Sequence, residues 1–319
     1  MTDADAAKSA GPDGAAGAGV SAAARDRFMR LATYASVAVA STLILLKGAA
    51  YYKTGSVAML ASLVDSGLDL LASGVTLVAV RQALVPPDSD HRFGHGKAEA
   101  LAGLMQSVLV TGSALFILLE ALEKLERRSQ IEHSYAGIAV ILVSIALTFA
   151  LVAFQRFVVR RTGSLAVMAD RLHYTGDLLT NLGVVVALVV AGVLGHRAAD
   201  PLIGILIAGY IAWTASSILR HSFDQLMDRE MADAERERIL KIIAAHADVM
   251  SVHDLRTRRS GTRCFIQFHL ELDGAISLLA AHRIADEVET ALHEAYPQAE
   301  VFIHTDPAGL EATGRTEPA

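Results

Sequence analysis

Six long apolar stretches fill most of the first two thirds of this sequence, and they constrain its fold more than any other feature. They lie near residues 29–51, 57–84, 101–123, 134–157, 164–194 and 199–220. A helix rises about 1.5 Å per residue, so each stretch is long enough to cross a hydrocarbon core of about 30 Å. We therefore expect a polytopic α-helical membrane protein with six transmembrane helices.

The composition excludes several classes of protein and of site. Of 319 residues, 53% are hydrophobic and 19% are charged, which is apolar for a soluble protein. The formal net charge is −6 and no basic face is evident, so no nucleic-acid partner is expected. Cys264 is the single cysteine, which excludes an internal disulfide framework and a thiolate metal cluster. A metal site in this chain would have to use carboxylates and some of the 12 histidines.

The two ends of the sequence have the composition of disordered tails. Residues 1–24 are rich in Ala, Gly, Ser and Asp, and they lack the continuous apolar segment of a signal peptide. We therefore predict a retained, disordered tail over residues 1–24 and a second tail over residues 309–319. The transmembrane domain is expected to occupy residues 25–222 between the first tail and a further domain.

The distribution of basic residues between the loops predicts how the bundle lies in the membrane. One side would carry Arg25, Arg27, Arg30, Arg81, Arg92, Lys97, Arg156, Arg160, Arg161 and Arg220. The other side would carry Lys53, Lys124, Arg127, Arg128 and Arg197. Cytoplasmic loops carry the excess of Lys and Arg, so we expect both termini in the cytoplasm. Lys47 lies near the end of the first stretch, where its ammonium group can reach the interface.

The pattern changes after residue 220. Two segments, AERERILKIIAAH and SLLAAHRIADEVETALHEAY, have the spacing of amphipathic helices. VHDLRTRRSG and TRCFIQFHLELD alternate like two strands around a Ser260–Gly261 turn, and AEVFIHTD has the pattern of a third strand. This α-β-β-α-β order predicts a cytosolic α+β domain over residues 223–308.

Two pairs of ionisable residues interrupt the apolar stretches, each with the i, i+4 spacing of one helix face. Asp65 and Asp69 lie in the second stretch, and His173 and Asp177 lie in the fifth. A carboxylate in hydrocarbon costs about 3 kcal/mol or more, so it is rare without a function. The two stretches run in opposite directions, and each pair begins about nine residues in, roughly 13 Å deep. The pairs are therefore expected to meet near the midplane and to hold one divalent cation.

The chemistry of these four residues, here called the tetrad, leaves open an alternative to metal binding and a choice between several metal ions. Interhelical hydrogen bonds or a proton relay without metal are the competing interpretation, although polar contacts in membranes more often use Ser, Thr and Asn. Three carboxylates and one imidazole suit Zn²⁺ and also admit Cd²⁺, Fe²⁺, Co²⁺ or Mn²⁺. Protons compete with a metal for these same ligands, which is the physical basis for an exchange of metal for protons.

Two further groups of possible ligands lie outside the apolar stretches. Asp88, His91 and His95 follow one another at spacings of three and four in the loop PPDSDHRFGHGKAE, where Asp90 competes with Asp88 as a ligand. An ordinary solvated loop is the alternative. The C-terminal domain contributes His253, His269, His282, His304 and Asp306. Each of these is more often structural when taken alone, and spacing leaves open whether they converge on one site.

Several segments together resemble one family of transporters. They are GSVAMLASLVDSGLDLLAS, HRFGHGKAEALAGLMQS, RLHYTGDLLTN, VHDLRTRRSG, FIQFHLEL and VFIHTDP. Over about residues 26–308 the sequence resembles the cation diffusion facilitator family, and within it the bacterial zinc and ferrous-iron efflux type. The resemblance implies a homodimer that exports divalent metal, Zn²⁺ foremost, in exchange for protons. It also implies a metallochaperone-like fold for the C-terminal domain, in which Zn²⁺ would be a structural or regulatory ion.

The resemblance assigns roles to the candidate residues. The transport ligands would be Asp65, Asp69, His173 and Asp177. The loop site would be Asp88, His91 and His95, which favours Asp88 over Asp90, and a cytosolic binuclear site would be His253, His269, His282, His304 and Asp306. Lys97 and Asp228 would form a charge interlock at the base of the dimer.

Two other classes of function were weighed against transport. A membrane metalloenzyme predicts a general base beside an open metal position, and the sequence contains no HExxH motif, so we do not expect an enzyme. A metal-gated channel or sensor would bind metal but would show no proton-coupled accumulation.

Overall fold

Six long helices form the N-terminal part of the chain in the computed structural model, which describes residues 21–55, 57–127, 135–194 and 199–309. The helices are α1 (Ala22–Thr54), α2 (Val57–Ala83), α3 (Lys97–Arg127), α4 (Tyr135–Thr162), α5 (Leu165–Leu194) and α6 (Ala199–Leu226). The chain divides after Phe223 into two units. Apart from residues 21–24 and 309, the predicted tails lie outside the described residues.

Local capping fixes both ends of the first helix. The Ser21 side chain accepts a hydrogen bond from the backbone N of Ala24 at 3.3 Å, and α1 begins at Ala22. Residues 22–24 are therefore helical, although the sequence analysis predicts that they belong to the tail. A run of apolar residues indicates where a helix crosses the membrane, but it does not show that the helix continues into a more polar first turn. The helix ends at Thr54 and is followed by Gly55, whose φ of 60° is a left-handed conformation that glycine adopts without strain.

The helices of the first unit have the surface of a membrane protein. Within the described residues, α1, α2, α3, α4 and α6 are long and apolar enough to cross a membrane by length and composition. α5 is 30 residues long and carries its charged residues in its N-terminal half. Leu45, Leu206 and Trp213 are 74%, 73% and 72% exposed, as side chains that contact lipid would be. The predicted six-helix membrane fold is confirmed.

Small side chains line the contacts between these helices. Ala32, Ser36 and Ala40 of α1 are fully buried, as are Ser73 and Thr76 of α2. Helices in lipid gain little from the hydrophobic effect and associate through close packing and hydrogen bonds, both of which small residues allow. The polar residues of the bundle therefore lie at close range from one another.

The C-terminal unit is a three-stranded sheet packed against two helices. Its elements are α7 (Asp233–Ala244), β1 (Ser251–Ser260), β2 (Arg263–Leu272), α8 (Leu278–Ala295) and β3 (Ala299–Pro307). β2 lies in the middle of the sheet, antiparallel to β1 and parallel to β3. The core combines one face of the sheet with both helices, and it includes Ile239, Ile243, Phe268, Leu270 and Leu292. The order of elements is the predicted α-β-β-α-β.

The strand register places three histidines in one row. His253 of β1 lies opposite His269 of β2, and His269 lies opposite His304 of β3. The row is on the face away from the core, because side chains alternate along a strand and the neighbouring Phe268 is fully buried. A register shift follows His253, and Asp254 has a φ of 49° there. The sheet thus gathers ligands that are far apart in sequence.

Candidate metal centres

Two helices of the membrane unit bring three of the predicted ligands together. Asp69 lies on α2, and His173 and Asp177 lie one turn apart on α5. Ligand atoms of all three residues lie within 4.8 Å of one another. His173 Nε2 is 2.9 Å from Asp69 Oδ1 and 3.8 Å from Asp177 Oδ2. One imidazole and two carboxylates at these distances can converge on a single divalent cation.

This membrane cluster is shielded from solvent and incompletely satisfied. The side chains of Asp69, His173 and Asp177 are 8%, 12% and 30% exposed. Asp177 Oδ2 is buried and, within the described residues, accepts no hydrogen bond. A buried carboxylate oxygen without a donor is costly, and a bound cation would remove that cost.

Asp65, the fourth predicted transport ligand, is not brought into this group. It lies one turn before Asp69 on α2 and is exposed. His173 and Asp177 have the same i, i+4 spacing and share the centre, so the spacing allows a shared centre without requiring one. Asp65 therefore borders the cluster at its side nearer the start of α2, and its role as a ligand stays a prediction.

The loop between α2 and α3 brings Asp88, His91 and His95 together. Asp88 Oδ1 lies 3.4 Å from His91 Nδ1, and Asp88 Oδ2 lies 3.4 Å from His95 Nε2. Asp88 Oδ1 also accepts backbone hydrogen bonds from His91 at 2.7 Å and Asp90 at 3.0 Å. The bond from the His91 backbone is the main reason that the pKa of Asp88 lies below its usual value. His95 Nδ1 is buried and has no hydrogen-bond partner within the described residues.

The row of histidines on the sheet converges on Asp306 of β3. Asp306 Oδ2 lies 2.7 Å from His269 Nδ1 and 3.7 Å from His253 Nε2. His304 Nε2 lies 3.1 Å from Asp306 Oδ1. Partial burial opposes the ionisation of Asp306, but the hydrogen bond from His269 and the nearby histidine charges outweigh it, so its pKa lies below the usual value. His253, His269 and Asp306 offer ligand atoms within 4.8 Å of one another.

His282, the remaining predicted cytosolic ligand, lies outside this cluster. It is on α8, its side chain is 71% exposed, and its Nε2 is 3.6 Å from Asp286 Oδ2 one turn further along the same helix. The resemblance places His282 in one binuclear site with the strand histidines, and the group of close ligand atoms in the C-terminal unit of a single chain does not include it. Its role as a ligand stays a prediction.

Two acidic residues beside the cytosolic cluster were missed by the sequence analysis. Glu271 Oε1 lies 3.5 Å from His253 Nδ1, and Asp254 Oδ2 lies 3.8 Å from His269 Nε2. Glu271 could have been found, because it follows His269 by two residues on the same strand face. Asp254 is positioned by the irregular start of β1, which no alternation pattern predicts.

Asp170, near the start of α5, anchors a buried polar network that the sequence analysis also missed. Asp170 Oδ2 accepts hydrogen bonds from Ser36 Oγ at 2.6 Å and from Gln155 Nε2 at 2.7 Å. Ser73 Oγ lies 3.4 Å from Asp170 Oδ1 and 2.7 Å from the hydroxyl oxygen of Tyr174. This network ties α5 to α1, α2 and α4. A carboxylate in an apolar stretch was the available signal, but spacing does not tell which partners it finds.

Glu99 holds the first turn of α5. It is 1% exposed, and its Oε2 accepts hydrogen bonds from Ser164 Oγ and from the backbone N of Ala166, the latter at 3.5 Å. A carboxylate at this position is stabilised by the positive end of the helix dipole. With the network described above, this contact fixes the helix that carries His173 and Asp177.

The predicted charge interlock joins residues of different units. Lys97 is the first residue of α3. Asp228 has a φ of 55°, and its Oδ1 lies 3.2 Å from Arg258 Nη1 within the C-terminal unit. The pairing of Lys97 with Asp228 stays a prediction.

Comparisons with known proteins cover nearly the whole chain. The model of a cation efflux transmembrane domain matches residues 33–227, and that of a cation efflux protein cytoplasmic domain matches residues 231–308. The chain is 44% identical to the cation-efflux pump FieF of Serratia proteamaculans over 289 residues, which is 91% of this chain and 96% of that protein. It is 46% identical to FieF of Shewanella oneidensis over 288 residues, which is 90% of this chain and 97% of that protein.

A solved structure resembles the C-terminal unit. The metal-bound C-terminal domain of the CzcD transporter from Thermotoga maritima is 29% identical, with a TM-score of 0.23, and the match covers 25% of this chain and 96% of that chain.

Proposed function

The chain belongs to the cation efflux family, whose members are membrane transporters of divalent metal and not enzymes, and on that premise we propose that it exports Zn²⁺ in exchange for protons. The observation that carries the proposal is the buried group of Asp69, His173 and Asp177. Its mixture of carboxylate and imidazole ligands suits Zn²⁺, and it would also accept Fe²⁺, Cd²⁺, Co²⁺ or Mn²⁺.

Transport would proceed by alternating access to this one site. In the inward-facing state the deprotonated ligands capture a metal ion from the cytoplasm. Movement of the helices then opens the site to the other side, where protons compete for His173 and the aspartates and release the metal. Asp65 would complete the coordination as the fourth ligand, with its side chain turning toward Asp69 when the metal binds.

The chain would act as a homodimer in the bacterial inner membrane. The excess of Lys and Arg in one set of loops supports a cytoplasmic location for both termini. The match to a cation efflux cytoplasmic domain supports the same location for the C-terminal unit. Lys97 and Asp228 would form the charge interlock at the base of the dimer. His282, which lies apart from the sheet cluster, would complete a binuclear site with the other cytosolic ligands.

The two sites outside the membrane would bind Zn²⁺ in structural or regulatory roles. The buried, unpartnered Nδ1 of His95 supports binding in the loop, and the short contacts of Asp306 support binding on the sheet. Metal bound at either place would favour whichever conformation holds it more tightly.

Replacement of Asp69 by alanine is the direct test of the transport site. In proteoliposomes loaded with a zinc-sensitive dye, Asp69→Ala is expected to lower the rate of Zn²⁺ uptake by about 100-fold or more. The reason is that the variant loses a buried carboxylate ligand that water does not readily replace. Asp90→Ala is the matched control, since it removes an exposed aspartate that lies outside the loop cluster. Uptake by Asp69→Ala at the wild-type rate would contradict the proposal.

A further inference from the structure

Lys47 brings a positive charge into the interior of the membrane unit. The sequence suggested that its ammonium reaches the membrane interface, but the residue is only 9% exposed. Its Nζ donates hydrogen bonds to Ser66 Oγ at 2.6 Å and to the carbonyl oxygen of Ser62 at 3.2 Å. Both acceptors belong to α2 and are uncharged, so these hydrogen bonds do not cancel the charge of the ammonium.

The position of this ammonium relates it to the proposed transport site. Ser66 follows Asp65 directly and precedes Asp69 by three residues on α2. Asp65 and Asp177, which lie on different helices, are both within range of the charge of Lys47. Charge interactions are stronger where water is excluded, so a buried ammonium beside Ser66 lowers the attraction of this part of α2 for a cation.

We propose that Lys47 is a fixed countercharge that weakens the binding of the divalent ion to the transport site, so that the ion can leave. An ammonium group repels a divalent cation and partly offsets the attraction of the surrounding carboxylates. Transport requires binding that is strong enough to capture the ion and weak enough to release it. The inference rests on the proposed function, because it concerns the same site.

A purely structural role for Lys47 makes different predictions, because its charge and its hydrogen bonds can be removed separately. Lys47→Gln keeps a hydrogen-bond donor and loses the charge, and Lys47→Met loses both. Lys47→Arg keeps the charge. Ser66→Ala removes the 2.6 Å hydrogen bond and leaves the charge in place. Lys53→Met is the matched control, because Lys53 lies exposed in the last turn of the same helix.

The test compares Zn²⁺ transport by the full-length variants in proteoliposomes at one pH. Lys47→Gln and Lys47→Met are expected to lower KM by about tenfold, equivalent to about 1.4 kcal/mol of binding free energy, and to lower kcat as release slows. Lys47→Arg, Ser66→Ala and Lys53→Met are expected to keep KM within about twofold of wild type. Equilibrium Zn²⁺ binding to the detergent-solubilised variants, less the binding that remains in Asp69→Ala, gives the affinity of the transport site even where transport is lost.

Two outcomes would overturn the inference. One is a KM and a zinc affinity for Lys47→Gln that are unchanged or weaker than wild type. The other is a Ser66→Ala variant that behaves like Lys47→Gln, since that would assign the effect to the hydrogen bond. Asp69→Ala, measured in parallel, distinguishes failure of the inference about Lys47 from failure of the proposed function. If Asp69→Ala abolishes transport while Lys47→Gln leaves KM and the affinity of the transport site unchanged, only the role of Lys47 is wrong.

Discussion

At the scale of single residues, the buried carboxylates of the membrane unit differ in their partners. Asp170 and Glu99 each accept two or more hydrogen bonds from uncharged donors outside their own helices. Asp177 has a buried oxygen that accepts none within the described residues, and it faces His173. A carboxylate with its donors in place stabilises packing, whereas one without them retains capacity for a cation. The partners therefore distinguish structural from ligand carboxylates where residue type does not.

Replacement of Asp170 is expected to destabilise the membrane unit without removing a ligand. Asp170→Ala leaves the buried Gln155 amide with fewer acceptors and should cost about 1–3 kcal/mol of unfolding free energy. The measurement is the midpoint of heat-induced loss of the monodisperse protein in detergent, which should fall by several degrees.

Thr42→Ala provides the control for this experiment. Thr42 is exposed, and its hydroxyl donates only to the carbonyl oxygen of Ala38 in its own helix at 2.8 Å. Its loss should change stability by less than about 0.5 kcal/mol. An Asp170→Ala midpoint equal to that of Thr42→Ala would show that the network does not hold α5.

The sequence predicts which side chains lie close together where helix geometry alone determines their positions. The proximity of Asp69 to His173 and Asp177 follows from two antiparallel spans and two matching depths. Lys47 was assigned to the interface because a long side chain can point either way, and packing against α2 decides its direction. The exposure of Asp65 likewise depends on how α2 packs against its neighbours, and the sequence pattern does not specify that packing.

At the scale of elements, the C-terminal sheet makes a site from three strands that cannot form it separately. Histidines on β1, β2 and β3 meet because the strands are in register, with β2 in the middle. The order of strands and helices was predictable from alternation and amphipathic spacing. The pairing of β2 with β3 in parallel, and the irregular start of β1 that carries Asp254, were not, since both depend on contacts distant in sequence.

Zinc is expected to raise the melting temperature of the isolated C-terminal unit, residues 223–308. This unit has its own buried core, and ligand binding to the folded state stabilises it by about 2.7 kcal/mol at a concentration 100 times the Kd. The measurement is thermal unfolding followed by circular dichroism with and without Zn²⁺.

Two variants locate that effect on the sheet. Asp306→Asn should reduce the zinc-induced shift, because Asp306 contacts three histidines of the cluster. His293→Ala should keep the shift, since His293 pairs with Glu289 on α8. No shift with the wild-type fragment in excess zinc would mean that the sheet histidines are structural.

At the scale of the whole molecule, membership of the cation efflux family indicates that the protein exports metal ions. The ligands in the membrane suggest that protons drive this export. The cation efflux family is shown by matches to residues 33–227 and 231–308. The proposed ion and its exchange for protons rest on the ligands within the membrane. A carrier of this kind must accumulate metal against a gradient, whereas a channel or a metal sensor cannot.

Zn²⁺ accumulation driven by an imposed pH gradient tests the central claim most directly. Proteoliposomes with an acidic interior would be given external Zn²⁺ while internal zinc and internal pH are recorded together. The account predicts that internal Zn²⁺ rises above the external concentration and that the interior becomes less acidic as it does so. Asp69→Ala should abolish both signals, and a protonophore that collapses the pH gradient beforehand should abolish the accumulation of Zn²⁺. Zinc entry that stops at equal concentrations and ignores the pH gradient would contradict it.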